Sequence, residues 1–356
     1  MRIQFDRGTL VIDRAGSAVD PESLPGVTWD PRVQLWRAPA DAYASILVRA
    51  SDEGVRISDE VGLARPREWQ PPALRWYQEE ALAAWGAAGQ RGVIALPTGA
   101  GKTHLAIAAM ARLGVPALVL VPTRVLLDQW CKAIALPDVG RLGDGEHRLG
   151  HVTIATYASA ALWAPRIGDR FGMVVVDEAH HVGAECPVEI LEMLVAPARL
   201  GLTATVPASP DVLERHVGGV VYALAIDALV GDALADYDLI TVPVRLTPAE
   251  RERYERLRGR FRSAYAAFQH AAPGADWPAF TRAAARSQEG RAAVAAWRDS
   301  RALLAYPAGK RAALRELLGR HRDAHILVFT SDNPTAYAIS RELLVMPITH
   351  EIGAGG

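Results

Sequence analysis

Short apolar runs recur through the middle of the chain, each followed by a stretch whose apolar positions return at helical spacing. The runs occupy 93–96, 117–121, 152–155, 173–176 and 199–202. Continuous apolarity marks strands buried on both faces, and strands alternating with helices predict a parallel sheet with helices on both sides. Upstream, the apolar pieces 3–5, 9–12 and 33–36 are broken by Gly, Pro and Asp, which predicts a small α+β module. From 245 to 301 the pattern is almost wholly helical and rich in Ala and Arg. A helix over 311–320 then leads to a predicted strand at 325–329, a helix through 341–343 and a short strand near Ile348.

With 356 residues, 50% hydrophobic and 22% charged, the chain can build several cores. The formal net charge of −1 gives no whole-molecule attraction to nucleic acid, so any such binding must come from local patches. Cys131 and Cys186 fit no metal-ligand spacing and read as packed thiols rather than a disulfide. No basic, hydrophobic leader opens the sequence, and no apolar run approaches the roughly 18 residues of a membrane span. A cytoplasmic protein with no membrane contact is expected.

The run at 93–96 ends in Pro97, Thr98, Gly99, Ala100, Gly101, Lys102 and Thr103 and leads into the helical pattern of 105–110. A glycine-rich turn between buried strand and helix offers backbone N–H groups to the oxygens of a triphosphate. Lys102 can reach the β and γ phosphates there, and Thr103 can hold Mg²⁺. Lysine is scarce: Lys102, Lys132 and Lys310 are the only three among 39 Lys and Arg residues. A chain that uses arginine almost everywhere keeps a compact ammonium in this loop. Leu96 stands where the strict GxxxxGK[ST] pattern has its first glycine.

The run at 173–176 ends in Asp177, Glu178, Ala179 and His180, at the sheet edge where α/β proteins bind ligands. Asp177 can join the Mg²⁺ shell that bridges phosphate oxygens, and Glu178 can orient and polarise an attacking water. In this context the pair reads as nucleoside triphosphate chemistry rather than a solvated strand end. His180 and His181 do not read as zinc ligands, because adjacent residues on a loop chelate poorly.

Together these motifs resemble the motor of superfamily 2 DEAD/DEAH-box helicases, and within it the XPB-type DNA helicases of archaea and bacteria, over residues 70–350. Leu74, Arg75, Trp76, Tyr77 and Gln78 are similar to the Q-type motif, which implies that Gln78 reads the adenine edge with Arg75 near the base. Residues 96–103 resemble motif I, in which this family commonly lacks the first glycine. Residues 121–130 resemble motif Ia and 153–157 motif Ic, which implies nucleic-acid contacts at Thr123, Arg124, Thr156 and Tyr157. Residues 177–180 are similar to motif II, which implies catalytic roles for Asp177, Glu178 and His180 with Lys102. Thr203, Ala204 and Thr205 resemble motif III, coupling the ATP site to the strand-binding face.

The resemblance implies an α/β fold built on a RecA-like P-loop NTPase sheet. A damage-recognition-like module is expected at 1–66, RecA-like lobe 1 at 67–238, a helical thumb at 239–308 and an incomplete second RecA-like lobe at 309–356. ATP and Mg²⁺ are the implied cofactors, with Thr103 and Asp177 on the metal. DNA is the implied partner, a monomer is expected, and a nuclease is entertained as a further partner. An ATP-driven helicase or translocase is the leading function. A translocase of restriction or remodeller type that does not unwind, or a nucleotide-gated DNA-binding module without useful turnover, are the alternatives. A small-molecule P-loop kinase would explain neither the Ia and Ic loops nor the thumb.

Several assignments have plainer competitors. Thr123, Arg124, Thr156 and Tyr157 follow strand ends, where small polar residues cap helices. Arg251, Arg253, Arg256, Arg258, Arg260 and Arg262, interleaved with Tyr254 and Phe261, could grip phosphates or form a solvated face tempered by Glu252 and Glu255. Trp69 or Trp76 could flank a base or anchor the linker. Two departures from the family pattern also stand out. No Arg-Glu-Asp cluster occurs in 206–216, which bears on duplex separation. Motifs V and VI are absent, and an arginine of the motif VI type is worth about 10³ to 10⁵ in rate in related P-loop systems. Poor turnover by this chain alone is therefore expected, together with incomplete burial of Ile326, Leu327, Val328, Phe329 and Ile348.

Overall fold

The computed structural model describes residues 1–14, 19–63, 66–206, 211–229, 231 and 237–349. The chain divides into two compact units, Met1–Tyr237 and Asp238–Gly356. Part of the stretch after motif III, 207–210, lies outside the described residues.

The first unit opens with β1 (Arg2–Asp6), β2 (Thr9–Asp13), β3 (Thr28–Asp30), β4 (Leu35–Pro39), α1 (Tyr43–Asp52) and the two-residue β5 (Ser58–Asp59). These strands form a sheet in the order β3-β4-β2-β1-β5, antiparallel except for β1 with β5. Alternation along β1 and β2 turns Ile3, Leu10 and Ile12 inward, where they meet Tyr43, Ile46 and Ala50 of α1. Val195 belongs to the same cluster, so this module and the lobe that follows pack as one body.

The lobe contains α2 (Trp76–Ala87), β6 (Arg91–Ala95), α3 (Lys102–Leu113), β7 (Ala117–Val121), α4 (Arg124–Ala133), β8 (Gly140–Gly143), β9 (Glu146–Arg148) and β10 (Val152–Thr156). It continues with α5 (Tyr157–Ile167), β11 (Met173–Val176), α6 (Val188–Glu192), β12 (Ala198–Thr203), α7 (Asp211–His216) and β13 (Val220–Ala223). Among the described residues the sheet runs β13-β6-β12-β11-β7-β10-β8-β9, parallel except for the β8–β9 hairpin. Each central strand is buried on both faces. Val119 and Val121 of β7 join the core under α2, α3 and α4, whereas Leu118 and Leu120 join the one under α5, α6 and α7.

The five apolar runs all became strands. The hairpin β8–β9 was not foreseen, because its strands are short and polar. Its signal was the Asp144-Gly145 pair: both residues adopt positive φ, 55° and 80°, as a two-residue hairpin turn requires.

The second unit is helical: α8 (Pro248–Ala271), α9 (Trp277–Ala284), α10 (Gln288–Ala305), α11 (Ala308–Arg320) and α12 (Asn333–Leu343). Phe261, Phe280 and Ala284 form its small core, edged by Tyr265, Phe268, Trp277 and Trp297. Phe261 is thus a core residue, while Arg251, Arg253, Arg256, Arg260 and Arg262 remain exposed. The strands expected at 325–329 and near Ile348 do not form. Apolar patterning cannot show whether a segment has a neighbour to share its N–H and C=O groups, and no ladder reaches these segments among the described residues. Leu327, Phe329 and Ile348 are accordingly 73%, 91% and 83% exposed. No helix among the described residues is long and apolar enough to cross a membrane.

Candidate functional site

Parallel register brings five strand ends to one edge of the lobe. Ala95 lies opposite Thr203, Val176 opposite both Gly201 and Leu120, and Thr156 opposite Val121. The turns after β6, β7, β10, β11 and β12 therefore emerge together, where ligands of open α/β sheets bind. Only β12 separates the strand leading to Asp177 from the strand leading to the phosphate loop.

The loop is shaped by Gly99 and Gly101, both left-handed at φ 85° and 75°. Pro97 and Ala100 are buried, Thr98 and Gly99 exposed, and Thr103 half-buried. α3 starts at Lys102, so its first N–H groups, which have no acceptor within the helix, face the loop with the positive end of the helix dipole. Lys102 Nζ donates to the carbonyl oxygens of Leu96 at 3.1 Å and Pro97 at 3.3 Å. Burial holds its ammonium below the usual lysine range, and the carboxylates of Glu178 and Asp177 oppose that shift.

Asp177 is 7% exposed. Its Oδ2 accepts from Trp130 Nε1 at 2.8 Å, and its Oδ1 accepts from the Glu178 N–H at 3.0 Å. Burial raises its pKa and Glu178 adds to the rise, while the Trp130 and Glu178 donors and Lys102 lower it. Glu178 sits at φ 50°. His180 Nδ1 is 3.5 Å from Glu178 Oε2 and 3.1 Å from Thr203 Oγ1. Thr203 Oγ1 donates to the Thr205 carbonyl at 2.8 Å and accepts from the Thr205 N–H at 3.1 Å. With that hydroxyl proton committed, the His180 Nδ1–H is the donor to Thr203. Ala204, between the two threonines, is exposed.

The donor set of left-handed glycines, helix N–H groups, an ammonium, the Thr103 hydroxyl and a buried carboxylate suits a triphosphate with a divalent cation. When bound, that group would supply the phosphoryl bond to be cleaved and the cation that neutralises its charge.

Two of the expected contact residues turn inward in this structure. Gln78, expected at the adenine edge, is 5% exposed and braces the loop from beneath. Its Nε2 donates to the carbonyls of Ala100 at 2.9 Å and Gly101 at 3.2 Å, and its Oε1 accepts from the Arg75 N–H at 2.9 Å. A Cβ at Gly101 would stand 2.5 Å from Gln78 Nε2. Tyr157, expected to touch nucleic acid, is 4% exposed, and its hydroxyl donates to the Asp177 backbone carbonyl. A buried phenol must place its proton on an acceptor, and the nearest lies inside the lobe.

The other nucleic-acid candidates lie at the same edge. Thr123 caps α4, accepting from the Leu126 N–H at 3.3 Å, and Thr156 caps α5, accepting from the Ser159 N–H at 3.3 Å. Both capping roles are therefore present. Arg124 pairs with Asp144 at 2.7 Å and keeps most of its side chain in solvent. Trp130 was missed as a site residue. Its only sequence signal is an indole three positions after the inward-facing Leu127, which places a polar N–H in a core.

Residues 3–61 match the Xeroderma pigmentosum group B helicase damage recognition domain, and 72–208 match the res subunit of type III restriction enzymes. The DNA 3'-5' translocase XPB2 of Sulfurisphaera tokodaii is 32% identical over 336 residues, 92% of this chain and 76% of that protein. The chain belongs to the XPB helicase family. Other XPB relatives align over shorter stretches. The DNA 3'-5' helicase XPB of Kineococcus radiotolerans is 33% identical over 51% of this chain and 36% of its own length. The putative DNA 3'-5' helicase Rad25 of Halobacterium salinarum is 37% identical over 40% of this chain and 25% of its own length. Among solved structures, the Hef helicase domain of Pyrococcus furiosus aligns with 76% of this chain and 78% of its own at 21% identity and a TM-score of 0.45.

Proposed function

We propose that this XPB-family chain is an ATP-driven DNA translocase or helicase whose nucleotide site lies at the β6–β11 edge of the first unit. The observation that carries the reading is the convergence of Lys102, Asp177 and Glu178 on one sheet edge with the loops after β7 and β10. In this reading Lys102 and the α3 N–H groups bind the phosphates, Thr103 and Asp177 hold Mg²⁺, and Glu178 polarises the attacking water. His180, Thr203 and Thr205 link that site to the edge where Thr123, Arg124 and Thr156 meet the DNA backbone. Residues 1–66 serve as a recognition module, 239–308 as a thumb, and 309–356 contribute to a second lobe.

The test is phosphate release from ATP with and without DNA, with Lys102→Ala as control. DNA-stimulated release that is lost in the variant supports the reading. Tight ATP binding with no stimulated release favours a nucleotide-gated binding module instead. Displacing a strand from a tailed duplex, beside displacing a triplex strand, separates unwinding from translocation.

A further inference from the structure

The helices that follow β7 and β10 each send one aromatic donor inward, and both donors reach the same residue. Trp130, at the end of the second turn of α4, is 1% exposed, and its indole N–H lies 2.8 Å from Asp177 Oδ2. Tyr157, the first residue of α5, gives its hydroxyl proton to the Asp177 backbone carbonyl. The second carboxylate oxygen is held by the Glu178 N–H at 3.0 Å. Side chain and backbone of Asp177 are thus fixed separately, one by each helix. An apolar residue would fill either position without a buried donor to satisfy, so packing alone does not ask for these side chains. The same two helices are capped by Thr123 and Thr156, at the edge assigned above to the DNA backbone.

We propose that Trp130 and Tyr157 are positioning residues that set the orientation of the Asp177 carboxylate according to what the starts of α4 and α5 contact. DNA at Thr123, Arg124 and Thr156 would thereby change affinity for the Mg²⁺-bound nucleotide. This rests on the reading of Asp177 as the Mg²⁺ carboxylate of a DNA-coupled ATPase. A shift of either helix has a route of one hydrogen bond to Asp177, which is the contiguity that coupling through a packed interior uses. Linkage then requires the reciprocal effect: nucleotide must tighten DNA by the same factor as DNA tightens nucleotide.

The experiment measures the affinity of a fluorescent ATP analogue, with Mg²⁺ or with EDTA, in the presence and absence of a saturating DNA oligonucleotide. It compares the full chain with Trp130→Phe and Tyr157→Phe. In the parent chain DNA should raise the Mg²⁺-dependent affinity by roughly five-fold or more. Each variant should lose most of that gain while its affinity in EDTA stays within about two-fold, a change no larger than one weak contact gives. Tyr157→Phe removes a single oxygen and keeps the ring, so it remains informative if Trp130→Phe loosens the core. Folded variants that retain the full DNA-linked gain overturn the inference and leave the motor reading intact. A parent chain with no DNA-linked gain in affinity also overturns this inference, whereas the motor reading is overturned only by the absence of DNA-stimulated phosphate release.

Discussion

His180 Nδ1 lies 3.1 Å from Thr203 Oγ1, joining the turn after β11 to the end of β12. Because Thr203 also holds both the N–H and the carbonyl of Thr205, the histidine is tied to the backbone that leaves the ATP edge. His180→Ala and Thr203→Val should each lower DNA-stimulated ATP turnover more than basal turnover. In a double-mutant cycle the pair should couple by about 0.5–1.5 kcal/mol, the usual worth of one hydrogen bond. Additive losses would show that the two residues act independently.

Gln78 spends its whole amide on the phosphate loop and on Arg75. Gln78→Glu keeps the shape but replaces the Nε2 donor with an acceptor facing the carbonyls of Ala100 and Gly101. Losing a buried partner in this way costs about 1–3 kcal/mol. The expected outcome is a lower melting temperature and weaker binding of ATP and GTP alike. A variant that loses only its preference for adenine would instead support a base-reading role.

Arg199 is fully buried and satisfies carbonyls at and after the ends of α6 and α7 from inside the lobe. Its guanidinium donates to the carbonyls of Leu191 (3.0 Å), Leu194 (2.8 Å), Ala196 (3.1 Å) and His216 (2.7 Å). Burial lowers its pKa to about 10, which leaves it charged at neutral pH. Arg199→Leu should reduce unfolding stability by about 3–5 kcal/mol in urea titrations, because several carbonyls lose their partner at once. Arg199→Lys should recover only part of this, since an ammonium lacks the planar fork.

Glu250 accepts from the Ala308 and Thr247 N–H groups, at 2.8 and 2.9 Å, and these bonds hold its pKa below the usual glutamate range. A carboxyl whose folded pKa is depressed adds stability above its unfolded pKa and loses it as pH falls through the folded value. Thermal melts of Glu250→Gln and the parent chain, followed by far-UV circular dichroism, should therefore differ at neutral pH and converge as the pH falls below the usual glutamate range. A gap independent of pH would assign the effect to hydrogen bonding by the side-chain oxygen alone.

The architecture of the lobe was legible because burial on both faces leaves a direct mark. Runs such as 117–121 and 173–176 are apolar at every position, and only a covered parallel strand needs that. The phosphate loop and the Asp177-Glu178 pair were legible for a similar reason, since few other uses call for those residue types directly after such strands. Polar side chains near the site were harder to read. Gln78 and Tyr157 carry groups that suit a ligand as well as they suit a neighbouring carbonyl, and their spacing in sequence does not distinguish the two. The segments at 325–329 and near Ile348 show the same limit for the backbone, because a strand exists only where another strand lies beside it.

By itself, the sequence determined which segments are buried, which strand ends carry chemistry, and the family those motifs resemble. The first two follow from local composition and periodicity, which are properties of neighbours along the chain, and the resemblance rests on the motifs themselves. Only the tertiary structure decided what each polar group at the site touches: Gln78 the phosphate loop, Tyr157 and Trp130 the aspartate, His180 the end of β12. Those partners lie 20 or more positions away in sequence. A buried donor takes whichever acceptor the packing of helices on the sheet brings within reach, and that packing is set by the whole lobe.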